Sequence, residues 1–152
     1  MTNIITKEGR RLLQEEYDFF WEKERPKVVR EVSDAAEGEK NSYQLRLLEI
    51  DARLEHLKSR MKVLKVAPHP PAEPEIVFVG CWVTYEDQDG SEYCYQLVGP
   101  DEIYCFNDRI SIDSALGKAL SGRRVDDEIL VKQTNSDIMV VILNISGTGS
   151  AK

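Results

Sequence analysis

Apolar residues in the first half of the chain repeat with the spacing of a coiled coil. Between residues 47 and 64 the intervals are three, four, three, four and three, which is the a/d pattern of a heptad. The positions are Leu47, Ile50, Leu54, Leu57, Met61 and Leu64. A second apolar series lies upstream, at Leu13, Tyr17, Phe20, Val28, Val32 and Ala35. Because only a short polar stretch separates the two series, they predict an antiparallel helical hairpin over residues 1–66.

Local signals set the expected ends of these helices. Thr6 is a suitable N-cap for the first helix. Pro26 has no backbone N–H and disfavours helix at the residue before it, so we expect a kink or a break there. The second helix is predicted from about Ser42 to Val66. The stretch between the helices is polar and acidic, and it forms the expected tip of the hairpin.

The pattern changes after a proline-rich segment. Residues 67–75 hold four of the six prolines and predict a linker, followed by a domain over residues 76–146. In that domain apolar residues alternate with period two over residues 77–83 and 93–97, around a turn at residues 87–90. Further strands are expected at residues 110–112, 129–131 and 138–145, the last of them central, and a short helix at 114–120. The tail, 147–152, is predicted to be disordered.

These elements define an α+β fold class: an antiparallel coiled-coil hairpin followed by a small, mostly antiparallel β domain with one short helix. The net charge of −7 argues against a general DNA or RNA coat protein, which needs a basic surface. Residues 1–75 hold 14 Lys and Arg against 15 Asp and Glu, whereas residues 76–152 hold 6 against 12. The acidic second half therefore favours a basic protein partner.

Candidate chemistry is sparse. The three cysteines, Cys81, Cys94 and Cys105, form no C-x-x-C pair and are interpreted as reduced thiols in a cytoplasmic protein. The histidines, His56 and His69, stand on the hairpin and in the linker, so no zinc site is expected. No apolar run reaches the length of a membrane span, and no nucleophile–base pair or phosphate loop is present. We therefore expect a protein that is not itself an enzyme, has no membrane partner and has no cofactor of its own.

Several stretches carry a family resemblance in their order along the chain. Residues 5–9, 21–28, 78–83, 98–103 and 110–114 resemble segments of the bacterial Gre transcript-cleavage and elongation factors (GreA/GreB). The stretch Trp21-Glu22-Lys23-Glu24-Arg25-Pro26-Lys27-Val28 is closer to the GreB branch. The resemblance covers nearly the whole chain. It implies an FKBP-like second domain that serves for docking.

The resemblance also implies a partner and a mode of action. Family members bind bacterial RNA polymerase at the rim of its secondary channel. For this chain a monomer is expected, because the short stretch between the helices favours a hairpin within one chain. The hairpin of family members passes down the channel, and acidic residues at the tip help to hold a Mg²⁺ ion shared with the polymerase active site, near the 3′ end of the nascent RNA. The polymerase itself then cleaves the RNA. A carboxylate pair suits this role because Mg²⁺ prefers oxygen ligands and keeps several waters.

The tip departs from the family pattern. The family segment resembles G-D-x-x-E-N-A-x-Y, whereas this chain has Glu37-Gly38-Glu39-Lys40-Asn41 and is about one heptad shorter, or ~5 Å per arm. The candidate metal ligands are Glu37 and Glu39, and the alternative is that both are solvated loop residues. We expect cleavage stimulation to be weakened or lost. Two alternatives stay open: a GreB-like cleavage factor that uses these two acids, or a coiled-coil interaction protein unrelated to transcription.

The resemblance also marks residues for polymerase docking. Asp113 and Ser114 match the loop that contacts the channel rim, where a proline usually follows and Ala115 stands here. The alternative role for this pair is the N-cap of the short helix, and the two roles are compatible. Asp101 and Glu102 are expected to be exposed acids that either face a basic polymerase surface or are simply solvated.

Overall fold

The computed structural model describes residues 2–105 and 107–148. The chain divides into two compact units. Residues Arg10–Leu64 form the helical unit, and Met1–Gly9 with Lys65–Lys152 form the sheet unit. The predicted tail falls outside the described residues from 149 onward. Gly147, the first residue of that predicted tail, donates a hydrogen bond to the Ala72 carbonyl (3.1 Å), so the ordered chain extends past residue 146.

The predicted hairpin is confirmed. Helix α1 (Lys7–Phe19) leads through a π-helical turn (Phe20–Glu24) into α2 (Arg25–Asp34), and α3 (Lys40–Val63) returns after a short loop. Helix α3 begins two residues earlier than predicted and ends three residues earlier, because the backbone at Leu64 is extended, with a ψ of 136°.

The interruption expected at Pro26 takes the form of the π turn. The Arg25 N–H donates to the Phe20 carbonyl five residues earlier, which is the hydrogen bond of a π-helix. Pro26 stands at the start of α2 and has no N–H for the carbonyl four residues earlier, so one wide turn replaces the regular pattern. The helix continues beyond the proline instead of ending.

Members of both apolar series pack into one core, as predicted. Val28, Ile50 and Leu54 are buried, and the half-buried residues packed against them are Tyr17, Phe20, Val32 and Leu47. Ion pairs join the two arms beside this core: Arg53 contacts Glu16 (2.6 Å), Arg25 contacts Asp51 (2.7 Å) and Arg46 contacts Glu24 (3.7 Å). These pairs are partly exposed, so each contributes at most about 1 kcal/mol and the apolar core dominates.

The sheet unit contains a two-stranded and a five-stranded sheet. Strand β1 (Ile4–Ile5) pairs in parallel with β2 (Lys65–Val66). The larger sheet has the order β5-β4-β3-β7-β6, and its last strand lies inside it, as predicted. Its strands are β3 (Trp82–Asp87), β4 (Glu92–Val98), β5 (Arg109–Ser111), β6 (Glu128–Lys132) and β7 (Asp137–Ser146). All its pairings are antiparallel except β4 with β5, and helix α4 (Ala115–Leu120) lies between β5 and β6 in the chain.

Two sequence expectations for this unit differ from the structure. The predicted strand start at residue 77 is wrong: Gly80 has a φ of +98° and the Cys81 N–H closes a turn on the Phe78 carbonyl, so β3 begins at Trp82. The predicted domain boundary at residue 66 and the predicted linker over 67–75 also differ from the structure. Residues 65–75 belong to the sheet unit. Ala67 donates to the Ile5 carbonyl (2.8 Å), and the linker is thereby tied to β1.

The core of the sheet unit is built from the inward-facing strand residues and α4. The largest fully buried members are Leu97, Leu120, Val131, Val140 and Ile142. The alternation of buried and exposed residues along β6 is the period-two pattern that the sequence predicts. Among the residues that the structure describes, no helix is both long and apolar enough to cross a bilayer.

Candidate functional site

The tip of the hairpin is a loop of five residues, 35–39. The Glu39 N–H (2.9 Å) and the Lys40 N–H (3.1 Å) both donate to the Ala36 carbonyl, and the Ser42 hydroxyl donates to the Glu39 carbonyl (3.0 Å). These bonds close the loop immediately on the first turn of α3. The loop is therefore a tight turn held by its own backbone.

Both predicted metal ligands lie in this loop and are exposed. The Glu37 side chain is 96% exposed, and the Lys40 ammonium lies 4.0 Å from its carboxylate. Asp34, the last residue of α2, is a third exposed acid beside the loop, and the sequence reasoning missed it. Within residues 2–105 and 107–148, no three His, Cys, Asp or Glu side chains are grouped to hold a metal ion. Two carboxylates fit part of a Mg²⁺ shell, and a partner would have to supply the remaining ligands.

The predicted docking pair, Asp113 and Ser114, is held by local hydrogen bonds. The Ser114 hydroxyl accepts from the Gly117 N–H (3.0 Å) and donates to the Ser111 carbonyl (2.6 Å), so its N-cap role is confirmed. The Asp113 carboxylate accepts from the Thr2 N–H (2.9 Å) and from the Thr2 hydroxyl. These two hydrogen bonds lower the pKa of Asp113. The loop therefore presents a fixed, ionised carboxylate, and its docking role stays a prediction.

The expectation that Glu102 is an exposed acid is wrong, because its side chain is fully buried. Its carboxylate accepts from the Thr6 N–H (2.7 Å), the Thr6 hydroxyl and the Gly99 N–H (3.1 Å). Burial raises the pKa of Glu102, and the hydrogen bonds from Thr6 and Gly99 oppose that rise. A fully buried side chain cannot contact a polymerase, so Glu102 is not one of the docking residues. Its neighbour Asp101 stays at the surface, half-exposed, and its docking role remains a prediction.

Glu102 instead fixes the start of the first helix. The Thr6 hydroxyl donates to Glu102 and accepts from the Gly9 N–H (3.1 Å), which is the N-cap hydrogen bond of α1. A Cβ on Gly9 would come within 2.3 Å of a Glu102 oxygen, and a Cβ on Gly99 within 1.9 Å of the Ile4 carbonyl oxygen. Both glycines are therefore required for this close packing. The sequence identified the cap but carried no signal for its buried acidic partner.

The sheet unit also has a concave surface that the sequence reasoning missed. A cavity of about 230 Å³ is lined by side chains that include Lys7, His69, Pro70 and Trp82. The Arg109 guanidinium stacks over the Trp82 ring at 4.4 Å from its centroid. Strand alternation alone did not reveal this surface, because Lys7 and His69 come from distant parts of the chain.

Comparisons with known proteins agree with this architecture. The family model "Transcription elongation factor, N-terminal" matches residues 3–66, and "Transcription elongation factor, GreA/GreB, C-term" matches residues 72–147. The chain is 40% identical to Transcription elongation factor GreB of Pseudomonas aeruginosa, over 95% of this chain and 90% of that protein. It is also 40% identical to Transcription elongation factor GreB of Pasteurella multocida, over 94% of each chain.

The alignment and one solved structure add two details. The alignment with the Pseudomonas aeruginosa protein spans 151 positions, but it includes only 95% of the 152 residues of this chain. Some of the aligned positions therefore have no residue in this chain. The crystal structure of GreA factor homolog 1 (Gfh1) protein of Thermus thermophilus is 24% identical, over 97% of this chain and 100% of that chain, with a TM-score of 0.43. A score this low supports no functional comparison.

Proposed function

Because the chain belongs to the GreA/GreB family of transcription elongation factors, we propose that it binds bacterial RNA polymerase in the secondary channel and modulates transcription, with cleavage stimulation weakened or lost. Because the chain belongs to this family, the alternative hypothesis of an interaction protein unrelated to transcription is dropped. In this proposal the protein acts as a monomer, is not itself an enzyme, and leaves any RNA cleavage to the polymerase. The cytoplasmic location stays a prediction.

The tip is the observation that carries the proposal. Its loop spans residues 35–39 and holds two acids, one of which, Glu37, has the Lys40 ammonium 4.0 Å away. The heptad missing from the family pattern corresponds to ~5 Å per arm. A carboxylate must approach Mg²⁺ to about 2 Å, so a hairpin that is short by a turn holds its acids out of coordinating distance.

Charge supports the docking half of the proposal. Residues 76–152 hold 12 acidic against 6 basic residues, and the Asp113 carboxylate is fixed and ionised by Thr2. An acidic surface attracts a basic one and raises the association rate. A protein that occupies the channel without delivering acids to the active site would compete with cleavage-competent factors.

A second candidate function keeps cleavage activity. Its support is that Glu37 and Glu39 are both exposed, in a tight loop closed by backbone hydrogen bonds to the Ala36 carbonyl. If the sheet unit docks deeper on the polymerase, these acids supply the two tip carboxylates. In that case the double variant Glu37→Ala with Glu39→Ala loses cleavage and keeps its affinity for the polymerase.

The test uses a stalled, backtracked elongation complex of bacterial RNA polymerase with Mg²⁺. The RNA 3′ end is followed on a gel after addition of the full chain, alone and together with a cleavage-competent Gre factor. We expect no new short products from the chain alone, and suppression of cleavage by the added factor. New products that disappear with the double tip variant would establish the second candidate. No effect of either kind, with no binding to the polymerase, would overturn both.

A further inference from the structure

An exposed aromatic ring lies in an acidic groove of the helical unit. Phe19, the last residue of α1, is 50% exposed, although a phenylalanine loses favourable burial at such a position. The groove around it has a volume of about 230 Å³, and its other lining residues are Glu15, Asp18, Glu22 and Lys23. We call this surface the Phe19 groove. It is separate from the tip loop and from the predicted docking loops.

The neighbouring Phe20 ring holds the Phe19 ring on one side. The Phe19 ring makes an edge contact with Phe20, with 5.6 Å between their centroids, and Phe20 packs against the hairpin core. The ring is therefore anchored on one side while the other side is open to solvent. Single π turns inside α-helices occur frequently at functional sites. The π turn of this unit begins at the residue after Phe19.

The charges in the groove favour a cation. The Glu15 carboxylate pairs with Arg11, and the Asp18 carboxylate accepts from the Gln14 amide (3.0 Å). The Glu22 carboxylate makes no ion pair within the part of the chain that the structure describes. Lys23 is the one basic residue of the lining and offsets one of these charges. With Glu15 paired to Arg11 and Lys23 in the lining, the three carboxylates leave the groove one net negative charge.

We propose that the Phe19 groove binds an arginine or lysine side chain from a basic segment of RNA polymerase. A cation gains from both the carboxylates and the negative face of an aromatic ring, and an apolar stem gains from contact with that ring. The same chemistry occurs elsewhere in this unit, where the Arg25 guanidinium lies 5.8 Å from the Trp21 ring centroid. The inference rests on the proposed function, since the polymerase supplies the segment.

The chain offers a matched control two residues after Phe19. Trp21 is 55% exposed, close to the value for Phe19, but it lies outside the groove and already faces Arg25. Loss of the Trp21 ring therefore removes as much exposed aromatic surface without touching the groove. The test variants are Phe19→Leu, which keeps an apolar side chain but removes the ring, and Glu22→Gln, which removes only the charge.

The experiment measures binding of the full chain to RNA polymerase core enzyme at 50 and 200 mM salt. We expect about tenfold weaker binding for Phe19→Leu, about fivefold weaker binding with a smaller salt dependence for Glu22→Gln, and less than twofold change for Trp21→Leu. Circular dichroism verifies that each variant is folded as the parent.

The outcomes separate this inference from the proposed function. If the parent binds the polymerase and the Phe19→Leu and Glu22→Gln variants bind it equally well, the groove is not the binding site. The proposed function is unaffected by that result. Equal losses for Phe19→Leu and Trp21→Leu also overturn the inference about the groove, because the effect would not belong to the groove. A change of oligomeric state in Phe19→Leu, measured by light scattering, would assign the groove to a second copy of this chain instead. Absence of binding by the parent overturns both.

Discussion

The burial of Glu102 makes a sharp prediction about stability. Replacement by alanine removes one carboxylate that accepts from the N–H groups of Thr6 and Gly99 and from the Thr6 hydroxyl. The hydroxyl can turn to another acceptor, but the two N–H groups are fixed. A buried donor left without an acceptor costs ~1–3 kcal/mol, so Glu102→Ala, which leaves two such donors, should lower the free energy of unfolding of the sheet unit by ~2–6 kcal/mol.

The measurement is urea unfolding followed by tryptophan fluorescence. The chain has two tryptophans, Trp21 in the helical unit and Trp82 in the sheet unit, so a Trp21→Phe background makes the signal specific to the sheet unit. The matched control is Asp101→Ala, at the neighbouring half-exposed acid, where we expect a loss of about 1 kcal/mol or less.

One result would refute the reasoning. If Glu102→Ala changes the unfolding free energy no more than Asp101→Ala does, then Glu102 behaves as the exposed acid that the sequence suggested, and the buried hydrogen bonds do not hold the start of α1. A loss confined to Glu102→Ala supports the buried arrangement. The comparison is valid if the urea midpoint shifts while the m-value stays unchanged, because unfolding is then two-state and the shift reports stability alone.

Three further predictions concern the loops of the sheet unit. Ser114→Ala removes the N-cap of α4 and should lower the unfolding free energy by ~1 kcal/mol, measured in the same urea experiment, whereas a Ser114→Asp variant that keeps a capping oxygen should not. Gly99→Ala places a Cβ 1.9 Å from the Ile4 carbonyl oxygen, so we expect poor expression or a clearly lowered melting temperature, and a parent-like melting curve would contradict that packing. The Thr2–Asp113 bonds lower the folded-state pKa of Asp113, so their stabilisation is present above the unfolded pKa and is lost as the pH falls through the lower folded-state value. Asp113→Asn should abolish that part of the acid dependence in melting curves recorded from pH 6 to pH 2, and an unchanged curve would refute it.

The elements with a strong local period were predictable from the sequence. The heptad spacing from Leu47 to Leu64 required a partner helix, and the structure has α3 packed against α1 and α2 in one core. Thr6 and Ser114 were identified as caps because an N-cap depends only on the residue and its next three neighbours. Strand β6 was predicted from the apolar segment 129–131, and β7 from the apolar, β-branched run over residues 138–145. In each case the determining interactions lie within a few residues of one another.

The candidate site was only partly predictable. The tip acids were found because the loop is short and local, and their exposure followed from that. The Phe19 groove was not found, because Phe19 stands in a run of three aromatic residues and the sequence alone does not show that its ring is half-exposed. The late start of β3, at Trp82 instead of residue 77, likewise depended on the positive φ of a single glycine, Gly80.

What the sequence determined by itself is the helical hairpin, the α+β class, the tip and the family resemblance, since periodicity, capping and ordered motifs are properties of neighbouring residues. What only the tertiary structure decided is the role of groups whose partners are far away. Glu102 meets Thr6 across 96 residues, and β1 pairs with β2 across the whole hairpin. A two-residue strand has no period to detect, and an acid carries no local mark of burial. Its environment is set by the chain segments that fold around it, and therefore a surface carboxylate in the sequence became a buried one in the fold.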